Sequence, residues 1–401
     1  MTFELNLSRM ALRLDSDGRY VWAISDRAGA MEAQDIDVIR LCVGDPDFDT
    51  PTPIHNAIGQ SLRQGRTHYS ASQGEPELRA AIAELETQTS PHPCNADEIV
   101  VFPGATNALY SVLACLLNTE DELLVPDPMY VGYCGFLAVI GCQVTQVPLN
   151  VARNFAIDIE AIKNAVTAKT RVILINTPGN PAGNMITAEE LAELAEFCRD
   201  KGLWLVCDEV YSMITFARRH TSLRTAAKHL DNVIMVDGLS KSHAMSGWRV
   251  GWAVAPKALI PHLSHFAGAT VFGCPQFIQD AAAFALRHDE YYVAKMREEY
   301  RARRDYVVNR VNDIDGLCCQ APDAGMFVMV DVNALAMDGR HFARALLEEQ
   351  HVCTVPGDGF GETTRNFVRI TLAQSVEVLS EAFDRIETFV NHHRQASHLM
   401  M

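Results

Sequence analysis

Six short apolar runs mark the chain between residues 98 and 255, and longer stretches with helical spacing separate them. The runs are mostly β-branched and nearly free of polar positions, which is typical of strands buried on both faces of a parallel sheet. The predicted strands are EIVVF (98–102), ELLVP (122–126), RVILIN (171–176), LWLVCDE (203–209), NVIMVD (232–237) and GWAVA (251–255).

The clearest helix lies between the third and fourth runs. Thr187 and Glu190 have the spacing of a capping box, which marks a helix start. Apolar residues then recur at helical spacing from Leu191 to Cys198, and Gly202 predicts the helix end. The repetition of strand, helix and strand predicts an α/β fold with a mostly parallel sheet and helices on both faces.

The pattern of apolar and charged residues changes after about residue 287. A highly charged helical stretch leads into GMFVMVDV, then a second helical pattern, NFVRITLA and a final helix, which indicates a smaller α+β unit. The large unit's pattern begins only after VGDPDFDTP, so the amino-terminal residues are assigned to the smaller one. We predict a large domain over 46–287 and a small domain over 1–45 and 288–401, since 401 residues exceed one ordinary core.

The charge balance and the distribution of apolar residues exclude several classes of partner. A formal net charge of −16 argues against nucleic acid, whose phosphates require basic patches. The amino terminus carries charge from Glu4 onward and lacks the apolar core of a signal peptide. The longest apolar stretch, around Ala108 to Leu117, is far too short to span a membrane. We therefore expect neither nucleic acid nor a membrane as a partner.

The 11 cysteines are scattered without a CxxC pair, and most lie in apolar strings such as WLVCDE. Such thiols are typical of small core residues in a reducing cytoplasm, where we expect the protein to reside. His262 and His265 could share a helix face, but no acidic or cysteine partner follows at ligand spacing. We therefore predict no metal site.

One candidate binding element follows the first predicted strand. Ligands bind at the carboxyl ends of strands in an open parallel sheet. The stretch VFPGATNALYSVL passes from a strand through Gly104 into a helix, so Ala105, Thr106 and Asn107 stand at the helix start. Free N–H groups and a partial positive charge at this position favour a phosphate.

Further polar residues follow the other strands at the same edge of the sheet: Asn180 in NTPGNPAG, Asp208 and Tyr211 in CDEVY, and Lys241 and Arg249 in SKSHAMSGWRVG. An acid at a buried strand end is costly unless it is paired, and a cationic partner would lower its pKa. Together with the phosphate site, these residues describe a cofactor with a protonatable ring nitrogen, a phenolic oxygen and an aldehyde. Pyridoxal 5′-phosphate has these groups and requires a lysine and an acidic partner.

At these residues the chain resembles the class I aminotransferases of fold type I. The resemblance extends from VGDPDFDTP to FVRITL and includes NTPGNPAG, DEVY and SKSHAMSGWRVG in this order. It implies a pyridoxal 5′-phosphate transferase with a large, mostly parallel domain and a smaller α+β domain. It further implies that Lys241 forms the Schiff base with the cofactor and that Asp208 pairs with the pyridine nitrogen.

The resemblance assigns the remaining site residues as well. Tyr211 and Asn180 would bind the ring hydroxyl oxygen, and Tyr130 would stack on the ring. Arg369 would hold the substrate α-carboxylate with its two-pronged guanidinium, with Asn180 and Gly44 also contacting the substrate. The residues implied for the phosphate are Ala105, Thr106, Ser240, Arg249 and, from a neighbouring subunit of a homodimer, Tyr69.

One position departs from the family pattern. The family often has a serine three residues before the lysine, where it contacts the phosphate, whereas this chain has Gly238. Ser240 or Ser242 would then take over this contact, or the contact is missing.

The substrate is predicted from finer similarities. The strings that look most like arginine–pyruvate transaminases are SLRQGRTHYS, LSKSHAMSGWRVGW, and QFIQDAA followed later by GMFVMVDV. This resemblance implies L-arginine, or another basic or neutral amino acid, as donor and a 2-oxo acid such as pyruvate as acceptor. Aspartate-specific members take an arginine from the partner subunit, and no arginine occurs over 262–279.

Three other roles are compatible with the same fold. A carbon–sulfur β-lyase would use the same lysine and aspartate, so that only its products distinguish it. A non-enzymatic regulatory protein would need a DNA-binding module ahead of the domain, and we expect none here. A structural relative would lack Lys241 or Asp208, and both are present.

Overall fold

The computed structural model describes residues 7–16, 19–288 and 290–399. The strands are β1 Ile39–Arg40, β2 Ile99–Phe102, β3 Glu122–Asp127, β4 Gln143–Pro148, β5 Thr170–Asn176, β6 Trp204–Asp208, β7 Val233–Gly238, β8 Gly251–Val254, β9 Phe327–Asp331, β10 Val352–Cys353, β11 Val355–Pro356 and β12 Phe367–Thr371. The helices are α1 Arg9–Ser16, α2 Arg19–Glu32, α3 Thr52–Arg63, α4 Pro76–Thr89, α5 Ala105–Leu116, α6 Gly132–Ile140, α7 Ile159–Ala165, α8 Ala188–Lys201, α9 Leu223–Ala226, α10 Leu239–Ser242, α11 Ile260–Thr270, α12 Gln276–His288, α13 Glu290–Asp313, α14 Gly339–Gln350 and α15 Val376–Leu399.

A seven-stranded sheet in the order β2-β8-β7-β6-β5-β3-β4 forms the larger layer. The prediction of a mostly parallel sheet is confirmed, since β4, β3, β5, β6 and β7 all pair in parallel. The exception is β8, which runs antiparallel to both β2 and β7. The edge strand β4 has no counterpart among the six predicted strands, because most of its residues are exposed and polar residues interrupt its apolar ones.

Alternate residues of the central strands pack against opposite faces of this sheet. Along β5, Val172 and Leu174 belong to one apolar cluster, whereas Ile173 and Ile175 belong to another. Both faces of the sheet are therefore covered, which explains the nearly unbroken apolar runs in the sequence.

Helix α8 begins and ends as its sequence predicts. The Thr187 hydroxyl accepts a hydrogen bond from the Glu190 N–H, and the Glu190 carboxylate accepts one from the Thr187 N–H. Gly202 ends the helix with a φ of 67°, in the left-handed region that glycine enters without strain.

Two smaller sheets are formed mainly by strands from the carboxyl-terminal part of the chain. β11, β12 and β9 form an antiparallel sheet, and β1 pairs in parallel with β10. Residues just after β1 connect the two, since the Leu41 N–H donates to the Cys353 carbonyl and the Leu41 carbonyl accepts from the Thr371 N–H. The proposed domain boundaries at 45/46 and 287/288 stay a prediction.

The seven-stranded sheet and the sheet of β11, β12 and β9 contact each other through residues that follow β6. Tyr211 and Ile214, which follow β6, belong to the same apolar cluster as Phe327 of β9 and Ile370 of β12. The carboxyl end of β6 therefore faces the sheet of β11, β12 and β9 across a shared core. None of the described helices is both long enough and apolar enough to cross a bilayer.

Candidate active site

Parallel pairing places three of the predicted site segments at one edge of the large sheet. Asn176 at the end of β5 is in register with Asp208 at the end of β6, and Asp208 is in register with Val236 of β7. Lys241 follows five residues after Val236, in the short helix α10. Asn180, Asp208 and Lys241 thus come from neighbouring strand ends, where an open α/β sheet binds its ligand.

Asp208 is a buried carboxylate, with 4% of its surface exposed. It accepts hydrogen bonds from the Tyr133 hydroxyl to Oδ2 at 2.6 Å and from the Val210 N–H to Oδ1 at 3.3 Å. Burial raises its pKa to about 6, although these two donors pull it down. Because the described residues give it no salt bridge, a protonated ring nitrogen would be a suitable partner, since a cation there restores the ionised form.

Asn180, Tyr211 and Arg369 form a connected hydrogen-bonded set in the buried part of the site. The Asn180 amide donates to the Tyr211 hydroxyl at 3.3 Å, and Arg369 Nη1 donates to the Asn180 Oδ1 at 3.0 Å. The Asn180 N–H is fixed in turn by the Asn176 Oδ1 at 2.7 Å. These contacts orient the Asn180 and Tyr211 side chains towards the same space.

Arg369 on β12 is a buried cation with 4% of its surface exposed. Its guanidinium lies 4.0 Å from the centre of the Phe327 ring and 4.9 Å from that of Phe360, and Nη2 donates to the Cys42 carbonyl at 3.0 Å. Burial lowers its pKa to about 10. In the described part of the chain Nε has no hydrogen-bond partner and no carboxylate pairs with the group. A buried guanidinium in this state is suited to a carboxylate ligand.

The Lys241 side chain is held in place by the backbone at Gly44. Its Nζ donates to the Gly44 carbonyl at 2.6 Å. Its pKa is lowered to about 8, mainly by burial and also by the charges of Arg369 and Arg249, whereas the charges of Asp45 and Asp208 act in the opposite direction. About a tenth of such lysines are neutral at pH 7, far more than for a solvated lysine. A neutral amine is the form that attacks an aldehyde.

The predicted phosphate site is built around Gly104. Gly104 has a φ of 86° and precedes α5, whose first residues are Ala105 and Thr106. No side chain in the described part of the chain caps this end of the helix. A side chain at Gly104 would collide with the Arg249 guanidinium, so glycine permits their close approach. Arg249 itself has a φ of 55° and donates to the Ser246 carbonyl at 2.7 Å. A cation beside uncapped N–H groups is suited to a phosphate.

The absence of a side chain at Gly238 has a structural reason. A Cβ there would lie 2.9 Å from the Val250 carbonyl oxygen and 3.1 Å from the Gly251 Cα of β8. Gly238 and Gly251 are paired directly across β7 and β8, so the two backbones approach closely. The serine that the family often has would not fit this arrangement without a shift of β8. Ser240 is partly buried beside it.

The remaining predicted site residues differ in their surroundings. The Tyr130 ring packs edge to face against Tyr133, with 5.4 Å between centroids, and burial raises its pKa. Tyr69 is 81% exposed and its ring packs against that of Phe272 at 4.7 Å. Within the described residues, no hydrogen bond or ring contact links Tyr69 to Asp208 or Lys241.

Several residues of the site were not predicted from the sequence. Tyr133 binds Asp208, Asn176 donates to the Asp208 carbonyl at 2.9 Å and positions Asn180, and Phe327 lies under Arg369. Tyr133 follows Tyr130 by three residues in PDPMYVGY, and this helical spacing was the only available signal. No sequence signal indicated that Phe327 belongs to the site, because GMFVMVDV indicates a core strand. In the described ranges no three His, Cys, Asp or Glu side chains form a group that could hold a metal.

Comparison with known proteins supplies the family. The model of the family "Aminotransferase class I and II" matches residues 36–386. The arginine–pyruvate transaminase of Pseudomonas aeruginosa is 40% identical over 382 residues, which cover 95% of this chain and 97% of that protein. The aspartate aminotransferase of Bacillus subtilis is 34% identical over 378 residues, covering 92% of this chain and 96% of that protein.

Solved structures agree in fold. The aspartate aminotransferase of Thermus thermophilus with maleate superposes with a TM-score of 0.90 at 30% identity, covering 96% of this chain and 100% of that one. The enzyme of the same name from Thermotoga maritima gives the same TM-score, identity and coverage. The predicted fold type and enzyme class are thereby confirmed, and the chain belongs to the class I and II aminotransferases, enzymes that use pyridoxal 5′-phosphate.

Proposed function

We propose that this aminotransferase takes the α-amino group from L-arginine and delivers it to pyruvate. The observation that carries this choice is the similarity, over nearly the whole chain, to a protein named for arginine and pyruvate. The segment 262–279 contains no arginine, which disfavours aspartate because its second carboxylate would lack a partner there.

Lys241 and Asp208 carry the chemistry in this proposal. Bound pyridoxal 5′-phosphate supplies an aldehyde for amine capture and a protonated ring that accepts an electron pair. Lys241 provides the amine that holds the cofactor and then removes the α-proton of the amino acid; its pKa of about 8 supports this role. Asp208, buried without a salt bridge among the described residues, holds the proton on the ring nitrogen.

Arg369 binds the α-carboxylate of the substrate. Its buried guanidinium, with an unpaired Nε among the described groups, supports this assignment. Asn180 fixes the guanidinium through its amide oxygen. Its amide nitrogen, which donates to the Tyr211 hydroxyl, would bind the ring oxygen of the cofactor together with that hydroxyl. The Gly44 backbone lines the site beside Lys241.

The phosphate is assigned to the start of α5 and its neighbours. The Ala105 N–H, the exposed Thr106 and the Arg249 guanidinium surround Gly104, and Ser240 lies in the adjoining helix α10. Tyr130, which is partly buried against Tyr133, stacks on the ring.

The active unit in this proposal is a homodimer in the cytoplasm. Tyr69 contributes to the neighbouring site; its 81% exposure and its contact with Phe272, itself 62% exposed, support a surface that a second copy covers. All 11 cysteines are free thiols, which agrees with a reducing compartment.

The decisive experiment adds L-arginine alone to the cofactor-loaded protein. We expect the visible absorption of the bound cofactor to disappear and one equivalent of the 2-oxo acid of arginine to form. Pyruvate should then restore the absorption and yield alanine. The Lys241→Ala variant should show no turnover.

Other results would distinguish the alternatives. If arginine leaves the spectrum unchanged while aspartate changes it, the proposed donor is wrong. If L-cysteine or cystathionine gives pyruvate and ammonia at a rate above that of any amino transfer, the chain acts mainly as a carbon–sulfur β-lyase.

A further inference from the structure

The segment from Cys42 to Asp45 lines the site between its two cations. The Cys42 carbonyl accepts from Arg369 Nη2 at 3.0 Å, and the Gly44 carbonyl accepts from Lys241 Nζ at 2.6 Å. Two residues apart, these carbonyls span the distance between the carboxylate-binding arginine and the lysine. Asp45 directly follows Gly44, whose carbonyl binds the lysine amine.

Asp45 differs from the other carboxylates of its neighbourhood. Its side chain is exposed and forms no hydrogen bond or ion pair with the described residues, whereas Asp47 is bound by Arg303 at 2.8 Å. Its charge still acts on Lys241, where it is the largest influence opposing the effect of burial on the lysine pKa. Because the carbonyl of the preceding residue binds the lysine amine at 2.6 Å, the Asp45 carboxylate is near that amine, and no described group binds either of its oxygens.

The other acids at this edge of the sheet are already engaged. Asp208 is buried and accepts from Tyr133 and Val210. Glu209 is buried and accepts from Leu223 and Ser222, and it pairs with His220 at 3.0 Å. Of the described acids that influence Lys241, Asp45 alone is exposed to bind a cationic group of a substrate.

We infer that Asp45 recognises the positively charged side chain of the amino donor and makes the enzyme selective for cationic amino acids. This inference rests on the proposed arginine donor. With the α-carboxylate on Arg369 and the α-amino group near Lys241, we expect the substrate side chain to extend towards solvent and to pass the exposed Asp45. A guanidinium or ammonium group would then pair with its free oxygens.

The test compares L-arginine with L-citrulline, which has nearly the same shape but no charge. We expect Asp45→Asn to lower the ratio of kcat/KM for arginine to that for citrulline by about 10-fold. Asp49→Asn is the matched control, because Asp49 is also exposed and unpaired among the described residues but lines a separate cleft with His243 and Met296. Its ratio should stay within about 2-fold of the wild-type ratio.

A binding measurement supports the kinetics. 5-Guanidinopentanoate keeps the carboxylate and guanidinium of arginine but cannot be transaminated, and hexanoate lacks the guanidinium. Asp45→Asn should weaken inhibition by the first about 10-fold and leave the second nearly unchanged. Added salt should reduce the wild-type preference for arginine over citrulline but not that of the variant.

Three outcomes overturn the inference in distinguishable ways. If Asp45→Asn lowers activity on arginine and citrulline equally and shifts the pH profile, Asp45 acts only on Lys241. If the wild type prefers arginine and the arginine-to-citrulline ratio of kcat/KM is unchanged in the variant, another group recognises the charge and the proposed function stands. If wild type prefers citrulline and norleucine over arginine and lysine, the cationic donor itself is wrong, and the role of Asp45 with it.

Discussion

The Tyr133 hydroxyl donates a 2.6 Å hydrogen bond to the Asp208 carboxylate, and both side chains are buried. Burial raises the pKa of Asp208 to about 6, and the hydrogen bond from Tyr133 is the largest influence that lowers it. Burial and the neighbouring carboxylate raise the pKa of Tyr133 well above its usual value, so the phenol stays a neutral donor. Tyr133 therefore favours the ionised form of Asp208, the form that can keep a ring nitrogen protonated.

Replacing Tyr133 with phenylalanine removes this donor. We expect kcat to fall about 10- to 100-fold, because a hydrogen bond to a charged group contributes about 1.5–3 kcal/mol. Without the donor the pKa of Asp208 rises, so the acidic limb of the kcat profile should move to higher pH. The measurement is the pH dependence of kcat between pH 5 and pH 9, compared between the variant and the wild type.

Tyr110→Phe is the matched control for this change. Tyr110 is partly buried, packs on Phe266 at 5.6 Å and makes no hydrogen bond with the described residues. Its profile should equal that of wild type. An unchanged acidic limb in Tyr133→Phe would mean that Tyr133 does not set the charge of Asp208.

The pKa of Lys241 predicts how the cofactor-free protein captures pyridoxal 5′-phosphate. Burial lowers this pKa to about 8, so the reactive neutral amine is a minor form at pH 7 and the major form at pH 9. The capture rate should rise nearly 10-fold per pH unit below 8 and level off above it, as followed by the visible absorption of the complex. A rate that still climbs 10-fold between pH 9 and pH 10 would mean that Lys241 titrates like a solvated lysine.

The sequence predicted those parts of the site that depend on where strands end. Asn180, Asp208 and Lys241 follow consecutive buried strands, and parallel pairing brings such ends together. Helix α8 was likewise predictable, because the Thr187 and Glu190 side chains bind only their own helix start.

Contacts between distant elements could not be predicted in this way. Tyr133 and Asp208 are 75 residues apart and meet only because α6 packs against the large sheet. The stacking of Phe327 on Arg369 depends on the pairing of β9 with β12. The antiparallel direction of β8 has no signature within its own apolar residues, since both orientations bury the same side chains.

Gly44 should tolerate no side chain, because of the aromatic ring beside it. A Cβ at Gly44 would lie 2.5 Å and 2.8 Å from two atoms of the Phe327 ring, which supports the Arg369 guanidinium at 4.0 Å. Gly44→Ala should therefore displace Arg369 and raise KM for the amino donor about 10-fold, with overpacking costing about 1–3 kcal/mol of stability. Steady-state kinetics and thermal unfolding measure the two effects.

Gly247→Ala provides the control for adding a methyl group. A Cβ at Gly247 meets no atom within 4 Å, so this variant should keep the wild-type KM and melting temperature. If Gly44→Ala also kept both, the Phe327 ring would be free to move without affecting Arg369.

Introducing at position 238 the serine that the family often has should lower both the stability of the protein and its affinity for the cofactor. A Cβ on Gly238 would lie 2.9 Å from the Val250 carbonyl oxygen and 3.1 Å from the Gly251 Cα, and both atoms belong to backbone that cannot rotate away. We expect Gly238→Ser to lower the free energy of unfolding by about 1–3 kcal/mol and to raise the dissociation constant for pyridoxal 5′-phosphate, because a shift of β8 also moves the Arg249 that precedes it.

Ser240→Ala, which removes only the neighbouring hydroxyl, should leave the melting temperature unchanged and weaken cofactor binding if that hydroxyl compensates for the missing serine. Tighter cofactor binding by Gly238→Ser at an unchanged melting temperature would contradict the crowding argument, since the new hydroxyl would then have reached the phosphate without displacing β8.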